Sequence, residues 1–557
     1  MPDARANIRT AAQLVVAELV AHGVDRVFCV PGESYLSVLD ALYDERRIDV
    51  VTCRHESGAG FMAVADAKLT GRPGVAMVSR GPGATNASIA VHTAQQDATP
   101  FVLFVGQIER KDRGKRAFQE VDYVRTFGDM AKHVVEVHDP ARLSEAIAHA
   151  FRAATTGAPG PAVVVLPEDM LLDQAPNAPW GPQPRLLAEP APRSIAEAAA
   201  LVEKAERPIL VAGSRLSAPE GRDVLRRAAE AWGVPVVLSF RQQDLFDNEH
   251  PLYAGHLGYM LPKDQVALYN ESDLVLAVGT RLGDVTTQGY AFPTAPRPKQ
   301  RLIHVYDDAQ VLGAVFATDL AVLAEPVAFL SGFGELGSAK PGRFAAWAER
   351  LHRVPEGLAR WEPKEAPDGV VFGAVIEGLR RRLGSDAVFV NDAGNFSGWL
   401  GRYFPFKPTH RLLGPVSGAM GFGVPGAVAA ARRLGRRAIT LVGDGGFLMT
   451  GNELATAIQY RLPVTVIVAN NNSYGTIRLH QEKWFPGRSI ATDLQNPDFA
   501  RLAEAFGAKG FRIERTADID AALEGALAAD GPSLVEVRTS LEYISAFTTL
   551  AALARKP

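Results

Sequence analysis

Ala438-Ile439-Thr440-Leu441-Val442-Gly443-Asp444-Gly445-Gly446-Phe447 reads as an apolar strand running into a glycine bend, and Asn452 to Tyr460 beyond it has a helical pattern. A strand, a glycine turn and a helix make an anion site, because free backbone amides and the helix dipole both point at the bend. Asp444 sits at that bend. Twenty-seven residues later, after the next apolar run, comes Asn470-Asn471-Asn472-Ser473-Tyr474-Gly475. Parallel neighbours present their carboxyl ends at one edge of a sheet, so Asp444 and Asn471 can converge on one cation. Each piece alone reads equally as a plain βα turn or a polar loop. The pair, each member following an apolar strand, points to a site. One carboxylate, one amide oxygen, a backbone carbonyl and diphosphate oxygens are hard donors and suit Mg²⁺.

Outward from this stretch, short apolar runs alternate with helical patterns through three segments, the signature of parallel sheets covered by helices. Strands are expected at Arg26–Val30, Val50–Cys53, Gly74–Val78, Pro100–Val105 and Ala162–Leu166 in the first segment. The second offers Pro208–Ala212, Pro235–Leu238, Leu274–Val278 and Arg301–Val305. The third opens with a helix near Val370 to Leu383 and continues with Ala387–Asn391, Arg437–Val442, Val464–Ala469 and Ser533–Val537. A proline-rich run from Leu172 to Arg193, and a second stretch holding Pro341, Pro355, Pro363 and Pro367, separate the segments. The pattern predicts an α/β chain of three doubly wound parallel-sheet domains, residues 1–172, 194–335 and 368–557, with linkers 173–193 and 336–367.

Composition narrows the function classes. The 557 residues are 47% hydrophobic and 22% charged, as in a globular protein with a large core. Lys plus Arg (59) against Asp plus Glu (62) leaves a net charge of −3, so no basic field exists and nucleic acid is not an expected partner. Cys29 and Cys53 could form at most one bridge, which fits a reducing cytoplasm. Asp3, Arg5 and Arg9 are followed by no signal-type apolar core, and no apolar run approaches the ~20 residues that span a bilayer, so neither secretion nor membrane insertion is expected.

Gly443-Asp444-Gly445 followed by Asn470-Asn471 resembles the cofactor motif of the thiamine diphosphate (ThDP) enzymes. The resemblance implies Mg²⁺ held by Asp444, Asn471 and the backbone of Ser473, with Gly443, Gly445, Gly446, Tyr474 and Gly475 around the cofactor. A thiazolium becomes a nucleophile only when a base removes its C2 proton, and the cofactor's aminopyrimidine can be that base if a carboxyl group holds its ring nitrogen. Arg54-His55-Glu56-Ser57-Gly58-Ala59-Gly60 supplies a carboxyl where a strand ends and a helix, Phe61 to Lys68, is expected to begin. Taken alone, Glu56 also reads as a helix N-terminal carboxylate favoured by the dipole. It matches the catalytic glutamate of the HEQGA motif in the acetolactate synthase branch of the family. In Gly418-Ala419-Met420-Gly421-Phe422-Gly423, Met420 matches the side chain that bends the cofactor and Gly418 its carbonyl donor; a core methionine is the plain alternative. Asp392-Ala393-Gly394-Asn395 resembles the first diphosphate-contacting turn and implies cofactor contact by Asn395.

The resemblance covers nearly the whole chain and is nearest to the large catalytic subunit of acetolactate synthase. It runs through Val30-Pro31-Gly32, Gly81-Pro82-Gly83-Ala84-Thr85-Asn86, Ala117-Phe118-Gln119-Glu120, Lys132-His133 and Met420 to Pro425. It implies cofactor contacts by Pro31 and Asn86, with Phe118 and Gln119 facing the thiazolium. Departures stand beside it. Glu33 replaces a glycine of the synthases, where pyruvate decarboxylases carry a catalytic Asp, and reads either as a proton donor near C2 or as a helix-capping carboxylate. Arg80 replaces a small residue and reads as a substrate-carboxylate ligand or a structural ion pair. His480 occupies the place of the tryptophan that lets synthases favour 2-ketobutyrate. Thr280-Arg281-Leu282-Gly283-Asp284 keeps only part of the synthase motif that contacts FAD, so FAD is not expected. The basic run Arg110 to Arg116 reads as a solvated loop or as a grip for the phosphates of a CoA thioester.

The resemblance implies the decarboxylase-superfamily architecture of pyrimidine-binding, central and diphosphate-binding domains. It also implies a ThDP- and Mg²⁺-dependent lyase or carboligase acting on a 2-keto acid through a C2 carbanion and an enamine. Cleavage of a 2-hydroxyacyl-CoA, or decarboxylation like that of oxalyl-CoA, is the alternative chemistry. A cofactor-binding regulatory protein is the alternative without turnover, and an intact Glu56 argues against it. Because Glu56 lies in the first domain and Asp444, Asn471 and Met420 in the third, and these domains meet across subunits in the family, a homodimer is expected at minimum and a homotetramer with D2 symmetry beyond it.

Overall fold

The computed structural model describes residues 8–176, 178–184, 186–259, 261–337 and 342–554. Asp3, Arg5 and Pro341, used above to read the chain's opening and its second linker, lie outside the described residues. Three six-stranded sheets carry the chain, and all their strands are parallel. The first contains β1 (Arg26–Cys29), β2 (Asp49–Thr52), β3 (Gly74–Val78), β4 (Phe101–Gln107), β5 (His133–Glu136) and β6 (Pro161–Pro167), in spatial order β2-β1-β3-β4-β6-β5. The second contains β7 (Pro208–Ala212), β8 (Val236–Leu238), β9 (Tyr253–His256), β10 (Leu274–Val278), β11 (Arg301–Tyr306) and β12 (Leu320–Leu323), ordered β9-β8-β7-β10-β11-β12. The third contains β13 (Val388–Asn391), β14 (Arg411–Leu413), β15 (Ala438–Gly443), β16 (Val464–Asn470), β17 (Lys509–Ile513) and β18 (Ser533–Arg538), ordered β14-β13-β15-β16-β18-β17. The first and third sheets thus share one topology, in which the order reverses between the first and third strands. Such a reversal opens a crevice at the carboxyl edge.

The first and third domains also share a core. Helix α1 (Glu56–Thr70) and helix α2 (Pro82–Gln96) cover the first sheet, and α1 packs on α3 (Gly423–Leu434) of the third domain. Ala59, Phe61, Ala63, Phe422, Val424 and Ala427 belong to a single buried cluster, and the Phe61 and Phe422 rings meet edge to face at 5.6 Å. Glycines on α1 permit close approach on two sides: a Cβ at Gly58 would lie 2.3 Å from Glu453 Oε1 of the third domain, and one at Gly60 would lie 2.3 Å from the Ala90 Cβ on α2. The helix expected from Phe61 therefore starts five residues earlier, at Glu56, and Gly58 and Gly60 lie inside it where a turn was expected. Charged groups seal the rim. Arg433 donates to both oxygens of Asp25 and of Asp66, and Arg432 to both oxygens of Asp49. Arg433 and Arg72 hold the Asp25 carboxyl well below the usual carboxylate range.

The strands read from apolar runs appear within a residue or two of their expected bounds. A second difference concerns the glycine bend: β15 runs through Gly443, and helix α4 (Asp444–Thr450) begins at once, ahead of the expected helix, which is present at Leu454–Gln459. Asp444 is thereby the first helical residue at a sharp strand-to-helix corner. Cys29 and Cys53 are both buried and free. Among the described residues, no helix is long and apolar enough to cross a membrane.

Candidate active site

The crevice of the third sheet is a cavity of about 220 Å³. Its floor is the carboxyl edge of β13, β15 and β16, so it lies where the strand order reverses. Of the residues expected to bind the cofactor, Asn395, Gly418, Met420, Gly443, Asp444, Gly445, Gly446, Asn471, Ser473, Tyr474 and Gly475 line it. Their backbone explains the glycines. A Cβ on Gly445 would lie 2.4 Å from the Tyr474 ring, and Gly418 holds φ +72°, a left-handed conformation that glycine adopts without strain. Helix α5 (Gly475–Trp484) starts at the same wall.

Asp444 and Asn471 do converge. The Ser473 amide donates to Asp444 Oδ2 at 3.2 Å and to Asn471 Oδ1 at 3.0 Å. Asp444 Oδ1 accepts from the Gly445 amide at 3.0 Å. Asn496 donates its amide to Asp444 Oδ2 at 2.8 Å and to Asn470 Oδ1 at 2.9 Å. Every partner of the Asp444 carboxylate is therefore a neutral donor, and burial pushes its carboxyl above the usual range. A buried carboxylate in such company is stabilised by a bound cation. The Ser473 hydroxyl beside it is buried without a partner. Among the described residues no group of three His, Cys, Asp or Glu side chains could hold a metal. The donor set of one carboxylate, amide oxygen and carbonyl fits a cation whose remaining ligands are diphosphate oxygens and water.

Asp392 ties the walls of the cavity together. Its carboxylate accepts from the amides of Ala393, Gly421 and Gly423, joining the turn of Asn395 to the loop of Met420. Burial pushes its carboxyl up to about 6. Buried Arg241, from the central domain, donates to the carbonyls of Asn391 and Asp392 behind that turn. Sequence reading placed Asp392 in the turn of Asn395 without a role of its own, and gave none to Arg241 or Asn496, nor to Thr539, Tyr543 and Ile544, which close the cavity from beyond β18. Asn496 follows Asn471 by 25 residues in a loop with no motif, and only the fold brings it back.

The first-domain candidates do not line this cavity. Glu56, the first residue of α1, is half-buried, and its Oε2 accepts from the Asn86 amide at 2.9 Å. Gly83 gives its other oxygen room, since a Cβ there would lie 3.2 Å from Oε1. Pro31 is exposed after β1, and the Phe118 side chain is 78% exposed. Gln119 holds φ +65° against Gly81, where a Cβ on the glycine would lie 2.7 Å from its own. Arg80 is nearly buried and donates to Glu168 at 2.7 Å, with the 83% exposed Glu33 at 3.6 Å. Its guanidinium is thus committed to ion pairs. His480 is exposed on α5 and does not line the cavity. Glu56, Pro31 and Arg80 all follow the carboxyl ends of β1, β2 or β3, the edge of the first sheet that corresponds to the cavity edge of the third.

The cavity at the edge of the third sheet and the half-buried Glu56 at the equivalent edge of the first are where the sequence resembles a ThDP enzyme, and comparison with known proteins shows that class. Family models described as the N-terminal TPP binding domain, the central domain and the C-terminal TPP binding domain of thiamine pyrophosphate enzymes match residues 9–126, 195–333 and 392–537. The chain belongs to the thiamine pyrophosphate (thiamine diphosphate) enzymes. It is 33% identical over 550 residues to an acetolactate synthase large subunit of Parasynechococcus marenigrum, covering 96% of this chain and 88% of that one. It is 34% identical over 529 residues to an acetolactate synthase of Mycobacterium bovis (92% and 84%), and 31% identical over 529 residues to the acetolactate synthase isozyme 2 large subunit of Escherichia coli (94% and 95%).

Asp444→Ala and Asn471→Ala are expected to weaken Mg²⁺ and ThDP binding together, each by at least about 100-fold, and Asn496→Ala by about 10-fold through a freed Asp444 carboxylate. Calorimetry with Mg²⁺ and ThDP reads all three. Full affinity in the first two variants would move the metal elsewhere.

Proposed function

We propose that the chain is a ThDP- and Mg²⁺-dependent decarboxylase or carboligase of the acetolactate synthase type, acting on a 2-keto acid, with each active site shared between two subunits. The observation that carries the reading is the division of the site. The cavity wall is all third-domain, while Glu56 stands on the first domain outside it. Asp444, Asn471 and the Ser473 carbonyl would hold Mg²⁺, and the amides around Gly445 and Gly475 would bind the diphosphate. Met420, between two glycines of positive φ, would lie under the cofactor's bend. When bound, ThDP supplies a nucleophilic carbon that adds to the substrate carbonyl and holds the electron pair left when CO₂ departs. Glu56 of the partner chain would hold the proton at the pyrimidine ring nitrogen, and Asn86 keeps its carboxyl oriented for that. Gln119 would be the polar group nearest the incoming carbonyl. Glu33, exposed and paired only distantly with Arg80, is free to act as a proton donor. A homodimer is the smallest assembly of this design, and pairing of dimers gives a D2 tetramer.

Keto acids are favoured over CoA thioesters because most of the basic run is already engaged. Arg110 donates to Asp169 and Asp173, Arg113 to Glu120 and Glu136, and Lys115 to Asp112. In the central domain Arg281 donates to the carbonyls of Gln95 and Gln96 at the end of α2, which supports a structural role in place of flavin contact. A panel of 2-keto acids and 2-hydroxyacyl-CoA thioesters, read for CO₂ and ligated products, tests the reading. Turnover of keto acids, poor preference for 2-ketobutyrate and no flavin absorbance are expected. Turnover of thioesters alone would replace the substrate class, and a stoichiometric flavin would restore a full synthase complement.

A further inference from the structure

The segment that presents Glu56 is not held by its own domain alone. Thr52, at the end of β2, donates its amide to the Tyr460 hydroxyl at 2.8 Å, and Arg54 donates to the Gln459 side chain at 2.6 Å. Between them Glu453 Oε1 accepts from two consecutive amides, Arg54 at 3.0 Å and His55 at 2.9 Å. Those amides immediately precede Glu56. The other Glu453 oxygen, Oε2, accepts from the Thr456 hydroxyl at 2.6 Å. Glu453, Gln459 and Tyr460 are third-domain residues of the same chain, and Glu453 is 0% exposed. Gly58 keeps the place open, since a Cβ there would lie 2.3 Å from Glu453 Oε1. Burial pushes the Glu453 carboxyl above the usual range, against the opposing pull of Thr456 and the two amides. A carboxylate taken fully out of water to grip two backbone amides is costly unless the geometry it fixes matters.

We propose that Glu453 is a positioning residue for Glu56 of its own chain. The third domain of each subunit would then set the catalytic carboxyl that works at the partner's cofactor, while its own cavity holds the cofactor served by the partner's Glu56. The inference rests on the shared-site reading above. It assigns Glu453 to the proton half of one site although it follows, nine residues on, the metal-binding Asp444 of the other.

Glu453→Ala is expected to keep ThDP and Mg²⁺ affinity within about threefold but to slow C2-proton exchange of the bound cofactor by about 10–100-fold, the cost of misplacing a catalytic group by an ångström. Glu453→Gln, which retains an acceptor for both amides, should recover most of the rate. If the alanine variant does not fold, Gly58→Ala displaces the same carboxylate and should give the same split. Unchanged exchange, or affinity lost in step with exchange, overturns the proposal.

Subunit mixing separates the two half-sites. Glu453→Ala mixed with Asp444→Ala should regain about a quarter of wild-type activity, because each mixed dimer has one site with both groups intact. Glu453→Ala mixed with Glu56→Gln should regain none, because both lesions then fall on the proton half. The reverse pattern would place Glu453 with its own cavity and overturn the proposal. If the control mixture of Glu56→Gln with Asp444→Ala also fails after verified subunit exchange, the shared site is wrong, and the exchange rates of the single variants alone decide the role of Glu453.

Discussion

Glu56→Gln is expected to slow exchange of the C2 proton of bound ThDP by about 10²–10⁴-fold, the range of a lost general acid or base, while cofactor affinity changes little. The side chain is placed for such a task. It heads α1, where the helix dipole favours its anion, and it is half-buried with one oxygen on the Asn86 amide and the other free above Gly83. An amide keeps the shape and the contact with Asn86 but cannot carry the proton to and from a ring nitrogen. Quenched-flow exchange followed by proton NMR reads the rate directly, without any assumption about substrate. An unchanged rate would remove Glu56 from the proton path and turn it into the helix-capping carboxylate that its position alone also permits.

The second large effect is all-or-none. Glu56→Gln and Asp444→Ala subunits, each inactive alone, are expected to regain about a quarter of wild-type activity when mixed at random, since half the dimers are mixed and each of those has one intact site. The folding of the chain makes the alternative concrete. The first and third domains of one chain already share a core through α1 and α3, and the rim of that contact is fixed by Arg432 and Arg433. This packing sets the two domains at a fixed distance and leaves Glu56 outside the wall of its own chain's cavity. Swinging the domains until Glu56 reaches it would break that core. No recovery of activity, once exchange of subunits is verified by mass-tagged chains, would favour a monomer that does rearrange.

The sequence carried the interior of the fold better than its margins, for a physical reason. Strands buried on both faces are continuous apolar runs and were legible, as with Gly74–Val78 and Val464–Asn470. The strands of the three parallel sheets that were not anticipated, His133–Glu136, Tyr253–His256, Leu320–Leu323, Arg411–Leu413 and Lys509–Ile513, are all at sheet edges, and Ile8–Thr10 and Gln174–Pro176 form a separate two-stranded antiparallel pair. Edge strands are short and partly exposed, so most of these carry Lys, Arg, Glu or His and lose the apolar signature, whereas Leu320–Leu323 is apolar throughout but only four residues long. In the site, the convergence of Asp444 and Asn471 was legible because each follows an apolar strand, and parallel strands deliver their carboxyl ends to one edge. Asn496 and Asp392 were not, because an amide or carboxylate that serves another side chain or a loop amide carries no spacing rule. Gly58 and Gly60 misled for a related reason. Glycine signals a turn in a sequence read locally, whereas here it signals the close passage of Glu453 and Ala90 against a helix.

The shared strand order of the first and third sheets bears on how such a protein can diversify. The corner after the third strand is Gly443-Asp444-Gly445 in one sheet and Ser79-Arg80-Gly81 in the other, so equivalent corners of one topology carry a buried carboxylate in one sheet and an ion-paired guanidinium in the other. Arg80 and Glu33 pair within the first domain and do not line the third-sheet cavity, so substitutions there are expected to leave cofactor affinity unchanged. In the shared-site reading proposed above, groups that face the substrate and groups that anchor the cofactor would stand on separate sheet edges, so one set could change while the other is kept, an asymmetry that a site built from a single sheet edge would lack.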